Sequence, residues 1–364
     1  MPLNRVGILT GGGDCSGLNA VIRGITRSAI IQHKSAVLGI EGGFEGLIRD
    51  RTRTLTMRDT RDILGEGGTI LGTTNKGNPF EYREKDGNGD IVTRDLSEKV
   101  INNFRKMALD CLFVVGGEGT LQIGYELYKR GLPIIGVPKT IDNDLEGTDY
   151  TFGFQTAVQV ACDALDRLRT TGKSHQRVMI LEVMGRDSGW IALEAGIAGG
   201  AHIILIPEIP FSMDNVLEKI KLRQAGGSPF SMIVVTEGAT ELGGGIIAKE
   251  EADKRLQGVA QLGGVGQYIA VKVGREIDLE VRCTTLGHIQ RGGTPNSFDR
   301  VLATRLATYA VKIAAEGKFG HMVALNTPDV TAVPLEELAG IVRHVPLDSQ
   351  LIRCAEAIGI SLGR

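Results

Sequence analysis

The sequence is poor in cysteine and has no long apolar run. Its five cysteines are scattered over 364 residues without a Cys-x-x-Cys pair, which excludes a disulfide framework and a cysteine-rich zinc site. No apolar stretch approaches the ~20 residues that cross a bilayer, and no charged leader precedes the first apolar segment. We therefore expect a cytoplasmic protein that has no membrane partner.

An excess of charge of one sign is also missing. The 41 Lys and Arg residues nearly balance the 43 Asp and Glu residues, which leaves a net charge of −2. A chain without a basic excess lacks the field that attracts nucleic acid, so we expect no nucleic-acid partner. Any anion must then be bound by a local cluster of residues.

Glycine, by contrast, is abundant, with 50 residues in the chain, roughly twice the usual share. It occurs in bursts such as 11–13 and 116–117, each of which follows a short apolar run and precedes a helical pattern. This repeated order predicts an α/β fold with mostly parallel sheets and ligands at the carboxyl ends of the strands. The predicted strands are 6–9, 111–115, 133–138, 178–183, 203–206 and 232–236.

Two stretches do not fit this alternation. Residues 77–97 contain Asp-Gly-Asn-Gly, a tight-turn sequence that predicts a β-hairpin. Residues 243–266 mix glycines with charged residues. We interpret both stretches as surface insertions.

The glycine turns at 11–17 and 116–120 are candidate phosphate sites. Backbone N–H groups that have no Cβ beside them can approach an anion at the amino terminus of a helix. Neither turn contains the Gly-Lys-Ser/Thr of a Walker A loop or the spacing of a dinucleotide site. The alternative for each is a tight turn that only packs a helix on the sheet.

Two carboxylates, Asp142 and Asp144, follow the predicted strand 133–138. At a ligand-binding edge, one carboxylate can accept a proton from an attacking hydroxyl while the other positions magnesium or substrate, as phosphoryl transfer requires. The alternative is a pair of aspartates that cap a turn.

Several cationic residues lie near predicted strand ends. His288 and Arg291 are three residues apart, and Arg177, Arg186 and Arg282 add further guanidinium groups. Guanidinium groups bind phosphate through paired hydrogen bonds, so together these residues favour a phosphorylated substrate. Each arginine alone fits equally well in a surface ion pair.

Five motifs, in this order along nearly the whole chain, resemble the signature set of 6-phosphofructokinases. They are Thr10-Gly-Gly-Gly-Asp-Cys-Ser-Gly-Leu-Asn-Ala, Gly116-Gly-Glu-Gly-Thr, Pro138-Lys-Thr-Ile-Asp-Asn-Asp, Met184-Gly-Arg and Gly287-His-Ile-Gln-Arg-Gly-Gly-Thr-Pro. The second motif alone is also similar to NAD kinases and lipid kinases. Those families give no reason for His288 with Arg291, or for Asp142 with Asp144.

The resemblance implies a Mg²⁺-dependent transfer of a phosphoryl group from ATP to the C1 hydroxyl of fructose 6-phosphate, which gives fructose 1,6-bisphosphate in glycolysis. Asp142 would be the general base and Arg186 a further catalytic residue, with Thr140 and Asp144 beside them. The implied sugar-phosphate residues are Thr140, Asp142, Arg177, Met184, Gly185, Arg186, Glu237, Arg282, His288 and Arg291. Arg177 and Arg282 would reach the 6-phosphate from a neighbouring subunit, so we expect a homo-oligomer, a homotetramer.

The same resemblance supplies the residues that would bind the phosphoryl donor. They are Gly13, Phe44, Asn75, Lys76, Glu118, Gly119 and Thr120, with Glu118 as the metal ligand. Glu118 stands where the family usually has aspartate. Asn75 stands where the family often has an arginine that bridges the two phosphates, and Lys76 beside it offers a charge without the bidentate fork.

Two positions that distinguish donors in this family disagree. Gly119 is typical of ATP users, because pyrophosphate users usually carry an aspartate there that would crowd and repel the α-phosphate of a nucleotide. Lys139 is typical of pyrophosphate users. Since a lysine can swing aside whereas a filled space excludes a ligand, we favour ATP and keep pyrophosphate as the alternative.

The resemblance also implies two Rossmann-like three-layer α/β domains with mostly parallel sheets and the active site in the cleft between them. Residues 1–153 and 290–340 would bind the donor, and residues 154–289 and 341–364 would bind fructose 6-phosphate. A catalytically silent sugar-phosphate-binding regulatory subunit is the alternative of another class. Such a subunit is expected to lack the base that Asp142 provides.

Overall fold

A computed structural model describes residues 3–87, 89–244, 263–338 and 340–364. The chain forms two compact units and passes from one to the other several times. The first unit comprises Met1–Thr140, Leu145–Gln155 and Arg291–Val342, and the second comprises Ile141–Asp144, Thr156–Gln290 and Arg343–Arg364. Neither unit is therefore a continuous stretch of sequence.

Strands and helices alternate along the described residues, as the glycine turns predict. The strands are β1 (Arg5–Thr10), β2 (Ala36–Ile40), β3 (Thr52–Leu55), β4 (Tyr82–Lys85), β5 (Ile91–Arg94), β6 (Cys111–Gly116), β7 (Ile134–Thr140), β8 (Phe152–Gly153), β9 (Val178–Val183), β10 (Ile203–Leu205), β11 (Ser231–Thr236), β12 (Val281–Thr285), β13 (His321–Asn326) and β14 (Asp329–Pro334). The helices are α1 (Leu18–His33), α2 (Gly43–Ile48), α3 (Ser97–Lys106), α4 (Glu118–Lys129), α5 (Phe154–His175), α6 (Trp190–Ala198), α7 (Met213–Ala225), α8 (Val265–Glu276), α9 (Ser297–Ala315) and α10 (Gln350–Ala357).

The first unit contains a sheet in the order β14-β13-β7-β6-β1-β2-β3, with β8 paired to β7. Its central pairs are parallel, and the two outermost pairs, β13 with β14 and β2 with β3, are antiparallel. Every residue of β6 is buried, which is typical of a parallel strand that helices cover on both faces. In the pairing of β1 with β6, Thr10 lies opposite Val115, so the two glycine turns leave the sheet side by side.

Helical periodicity explains how the first unit builds its core. On α3 the residues Val100, Ile101 and Phe104 are buried, a spacing that places them on one face of a helix. They join side chains of α2, α4 and the sheet, among them Phe44 and Val114, in one apolar cluster. The cluster holds the helices against the sheet and fixes the turns at the strand ends.

The second unit contains a sheet in the order β10-β11-β9-β12, in which all three pairs are parallel. All residues of β9 and β11 are buried. Helices α7 and α8 pack against this sheet with side chains such as Val216, Ile220, Ile269 and Val273. The carboxyl end of β9 leads directly into the Met-Gly-Arg motif.

The predicted α/β class with mostly parallel sheets is confirmed. The predicted hairpin within 77–97 is also confirmed, since β4 and β5 pair antiparallel. Most of the predicted insertion at 243–266 lies outside the described residues.

No described helix is both long and apolar enough to cross a membrane. The assignment of a ligand to each unit stays a prediction.

Candidate active site

The glycine turn after β1 is anchored to the segment that carries Asn75 and Lys76. The Thr73 hydroxyl donates to the Gly12 carbonyl at 2.6 Å, and the Gly12 amide donates to the Thr74 carbonyl at 3.2 Å. Asn75 and Lys76 themselves are exposed. Both expected donor residues therefore lie next to the first glycine turn, with side chains accessible to a ligand.

The second glycine turn, after β6, packs closely on the first through Thr120. A Cβ on Gly116 would lie 2.3 Å from the Cβ of Thr120, and one on Gly11 would lie 2.7 Å from its Cγ2. Real Cβ atoms do not approach other atoms so closely, so both positions require glycine for packing. Packing against Thr120 thus accounts for these two glycines, and the phosphate-binding role of the turns stays a prediction.

Gly119 is different, because a Cβ there would meet nothing within 4 Å. It lies in the first turn of α4, directly after Glu118, and is exposed. The amino terminus of a helix presents unpaired N–H groups and favours anions. Packing does not explain this glycine, and the open space in front of it is available to a ligand.

Phe44 occupies a less accessible place than the other expected donor residues. It lies on α2, is 4% exposed, and belongs to the apolar core of the first unit. The structure thus shows Phe44 packed in the core, while its contact with the phosphoryl donor stays a prediction.

Two cationic side chains donate hydrogen bonds to the backbone of the first glycine turn, at Gly13 and Asp14. The Lys139 ammonium donates a hydrogen bond to the Gly13 carbonyl, although Lys139 is only 4% exposed. Arg291 donates from Nη1 to the Asp14 carbonyl at 3.3 Å. A Cβ on Gly13 would lie 2.2 Å from that same Nη1, so the glycine makes room for the guanidinium.

Cys15 lies within this turn and is fully buried. Burial raises the pKa of the Cys15 thiol to about 12, against a smaller opposing effect of the nearby Lys139 charge. A thiol with this pKa stays protonated at neutral pH and is a poor nucleophile. The chemistry of the turn therefore belongs to its backbone and its cations.

Asp142 lies on a short segment just beyond the end of β7. The last residue of that strand, Thr140, accepts a hydrogen bond on its carbonyl from the Thr151 hydroxyl at 2.9 Å. Asp142 is 7% exposed, and the Asp144 carbonyl accepts from the Arg343 amide at 2.8 Å. The two predicted carboxylates thus sit on a segment whose backbone carbonyls at both ends accept hydrogen bonds.

The Met-Gly-Arg motif forms a loop with an unusual backbone. Gly185 has φ 145°, a conformation that favours glycine, and Arg186 has φ 47° although it is not a glycine. The Glu237 amide donates to the Val183 carbonyl at 2.9 Å, which places Glu237 beside this loop. Arg186 is exposed, so its guanidinium is accessible to a ligand.

Two residues that the sequence analysis did not single out hold this loop. The Met184 amide donates to Oε1 of Gln290 at 2.8 Å. The Ser188 hydroxyl lies 3.1 Å from the Asp142 carbonyl and 3.3 Å from the Gly185 carbonyl. Both residues lie inside or beside recognised motifs, but no spacing or composition distinguishes them from ordinary polar residues.

Arg177 and Arg282 come together on the edge of the second sheet. Both pair with Glu280, and the hydrogen bond from Arg177 is the main reason why the pKa of that carboxyl lies below its usual value. Arg282 is exposed whereas Arg177 is partly buried. The two guanidinium groups therefore form one cationic pair, exposed at Arg282, that a carboxylate partly neutralises.

A model of the protein family described as phosphofructokinase matches residues 5–314. The chain belongs to the phosphofructokinase family. The predicted resemblance is thereby confirmed over most of the sequence.

Relatives of this phosphofructokinase are similar over their full lengths. The ATP-dependent 6-phosphofructokinase of Chloroflexus aggregans is 50% identical over 360 residues, which cover 99% of this chain and 98% of that protein. The pyrophosphate–fructose 6-phosphate 1-phosphotransferase of Amycolatopsis methanolica is 47% identical over 343 residues, which cover 94% and 96%.

A solved structure, phosphofructokinase from Saccharomyces cerevisiae, is 30% identical with a TM-score of 0.76 and covers 92% of this chain. Only 45% of that yeast chain is matched, so this chain spans less than half of its length.

The expected site residues of this phosphofructokinase divide between the two units. The first unit holds all the expected donor residues, with Lys139, Thr140 and Arg291. The second unit holds Asp142, Asp144, Arg177, Met184, Gly185, Arg186, Glu237, Arg282 and His288. Arg291 and His288, which are three residues apart, thus belong to different units.

Proposed function

We propose that this phosphofructokinase transfers the γ-phosphoryl group of ATP to the C1 hydroxyl of fructose 6-phosphate, with Mg²⁺, and forms fructose 1,6-bisphosphate and ADP. A relative that is 50% identical over nearly the whole chain is named ATP-dependent 6-phosphofructokinase. The proposed reaction is a step of glycolysis, and its expected compartment, the cytoplasm, stays a prediction.

The observation that carries this proposal is the stretch of chain from Lys139, near the end of β7, to Asp142, just beyond it. Lys139 donates to the Gly13 carbonyl in the first glycine turn, which is the expected donor turn. The Asp142 carbonyl is within hydrogen-bond distance of Ser188, beside the Met-Gly-Arg loop, which is the expected sugar loop. Residues 139 and 142 are three apart, and three residues of extended chain span at most roughly 11 Å. The covalent chain therefore limits the distance between the Cα atoms of Lys139 and Asp142, the expected base, to this value.

In the proposed reaction the Asp142 carboxylate accepts the proton of the C1 hydroxyl. The C1 oxygen forms a bond to the γ-phosphorus, and the bond from that phosphorus to the bridging oxygen of ADP breaks, so that ADP leaves with the electron pair. Lys139, Arg186 and Arg291 would offset the negative charge on the transferring group. Asp142 is nearly buried, which limits competition by water.

Glu118 fits a role as magnesium ligand. Magnesium in phosphotransferases is usually held by one or two carboxylates together with substrate phosphates rather than by a complete protein cage. The described residues contain no group of three or more His, Cys, Asp or Glu that could hold a metal alone, and Glu118 would supply one oxygen ligand beside the expected phosphates. When bound, the ion would neutralise charge on the donor oxygens.

The choice of ATP rests on Gly119. The two relatives named for different donors are 50% and 47% identical, so overall similarity does not choose between the donors. The open space in front of Gly119 supports a nucleotide, whose α-phosphate needs that room. Lys139 favours pyrophosphate as the second candidate, and its hydrogen bond to Gly13 places its charge at the donor turn whichever donor binds.

A comparison of the two donors tests the proposal directly. With fructose 6-phosphate and Mg²⁺, we expect kcat/KM for ATP to exceed that for pyrophosphate by roughly tenfold or more. Coupled assays of fructose 1,6-bisphosphate formation measure both. A preference for pyrophosphate would contradict ATP as donor, and sugar-phosphate binding without turnover of either donor would favour the regulatory subunit.

We also propose that the enzyme is a homo-oligomer, a homotetramer, in which Arg177 and Arg282 complete the sugar-phosphate site of a neighbouring subunit. Their position at the edge of the second sheet, where Arg282 is exposed, and their shared partner Glu280 support this proposal. A phosphate would compete with the Glu280 carboxylate for the same guanidinium donors.

Hybrid oligomers test the shared site. Asp142→Ser and Arg177→Ala subunits, each nearly inactive alone at low fructose 6-phosphate, are unfolded together, refolded and assayed. If each site takes these two residues from different subunits, random mixing leaves about a quarter of the sites with both residues intact. Activity that stays at the sum of the separately refolded variants would contradict the shared site.

A further inference from the structure

The Ser188 hydroxyl lies between two backbone segments of the second unit that the proposed reaction needs. Its Oγ is 3.1 Å from the carbonyl oxygen of Asp142 and 3.3 Å from that of Gly185. Ser188 is 1% exposed, so bulk water does not substitute for the hydroxyl. The two carbonyls belong to the segment of the expected base and to the expected sugar loop.

Neither segment is held by a sheet. Asp142 lies beyond the end of β7, and Asn143 after it has φ 52°. The sugar loop begins where β9 ends, and it contains Arg186 with φ 47°. A left-handed backbone at a residue other than glycine is strained and persists only where the surroundings hold it. Individual hydrogen bonds must therefore fix these segments.

Gln290 holds the sugar loop independently of Ser188. Its Oε1 accepts the Met184 amide at 2.8 Å, and Gln290 is 1% exposed. The Ser188 amide also donates to the Gly185 carbonyl at 2.9 Å, a bond that does not involve the hydroxyl. Loss of the hydroxyl therefore removes the bond that it makes at the Asp142 carbonyl, while the sugar loop keeps both of these bonds.

We propose that Ser188 is a positioning residue for phosphoryl transfer, whose hydroxyl sets the position of Asp142 relative to the loop that holds the acceptor sugar. The proposal rests on the proposed function. A displacement of about 1 Å between reacting groups can lower a rate roughly 10²-fold. Because Gln290 still holds the sugar loop, the loss appears in kcat rather than in KM for fructose 6-phosphate.

The test compares Ser188→Ala and Ser188→Cys with Ser35→Ala. Ser35 is a matched control in the first unit, since its hydroxyl is also buried and donates to a backbone carbonyl, that of Leu3. We expect Ser188→Ala to lower kcat roughly 10- to 10²-fold with little change in either KM. Ser188→Cys keeps a weak donor and should lie between alanine and wild type, and Ser35→Ala should keep the wild-type kcat.

Hydrogen exchange provides a readout that does not need turnover. In Ser188→Ala the backbone amides of 141–144 should exchange faster, while the fluorescence of Trp190, the single tryptophan, stays unchanged. Wild-type kcat in Ser188→Ala, or an equal fall in Ser35→Ala, would overturn the proposal. A wild-type enzyme without turnover would overturn the proposed function and the kinetic role, and exchange alone would then decide whether Ser188 fixes Asp142.

Discussion

The Asp142→Ser variant is expected to have a kcat ~10²–10⁴-fold below that of the wild type, the range typical of the loss of a positioned base. A serine hydroxyl does not take a proton from an alcohol at neutral pH. The backbone at position 142 keeps its carbonyl beside the Ser188 hydroxyl, so the segment should stay in place. The KM values should therefore change much less than kcat.

Steady-state kinetics with both substrates varied measure this effect. Asp278→Ser is the matched control, because Asp278 is an exposed aspartate of the same unit. Trp190 donates from its ring to the Arg343 carbonyl at 3.1 Å, so its fluorescence reports whether the second unit is intact. A folded Asp142→Ser enzyme with nearly wild-type kcat would show that another group accepts the proton.

The Gly119→Asp variant is expected to lose roughly 10²-fold or more in kcat/KM for ATP, because a like charge placed against a phosphate costs several kcal/mol. A Cβ at this position meets nothing within 4 Å, and aspartate is favourable in the first turn of a helix. The fold should therefore tolerate the change. Pyrophosphate has no α-phosphate of a nucleotide to repel, so its turnover should change far less.

Two further variants distinguish the steric effect of the Gly119→Asp side chain from the effect of its charge, and both from a nonspecific loss of activity. Gly119→Asn fills the same space without the charge, and the steric argument predicts that it retains a large part of the loss. Gly87→Asp is the control, since Gly87 also meets nothing within 4 Å and lies in the hairpin. Unchanged ATP kinetics in Gly119→Asp would refute the steric argument for the donor.

The α/β fold could be predicted because its central strands are buried on both faces. Such strands read as continuous apolar runs, as at β6 and β9, and glycine turns mark where they end. The hairpin of β4 and β5 could be predicted from its turn sequence alone. These features depend on neighbouring residues, which a single sequence displays directly.

The supports of the site could not be predicted, because they are side-chain bonds to distant backbone groups. Ser188 and Asp142 are 46 residues apart, and Gln290 and Met184 are 106 apart. Such bonds leave no periodic pattern in the sequence from which they could be predicted. The chain changes unit directly after Gln290, which separates His288 from Arg291. Only the family resemblance implies a boundary near this position, because no pattern in the neighbouring residues marks it.

The interrupted course of the chain determines the order in which the two sheets are completed during synthesis. The sheet of the second unit has all its strands once β12 has been made, at Thr285. The sheet of the first unit lacks one neighbour of β7, the strand β13, until that strand leaves the ribosome, since His321 pairs opposite Ile135. The unit that begins the chain is thus the last to close its sheet, and until then β7 presents an open edge that other nascent chains can join.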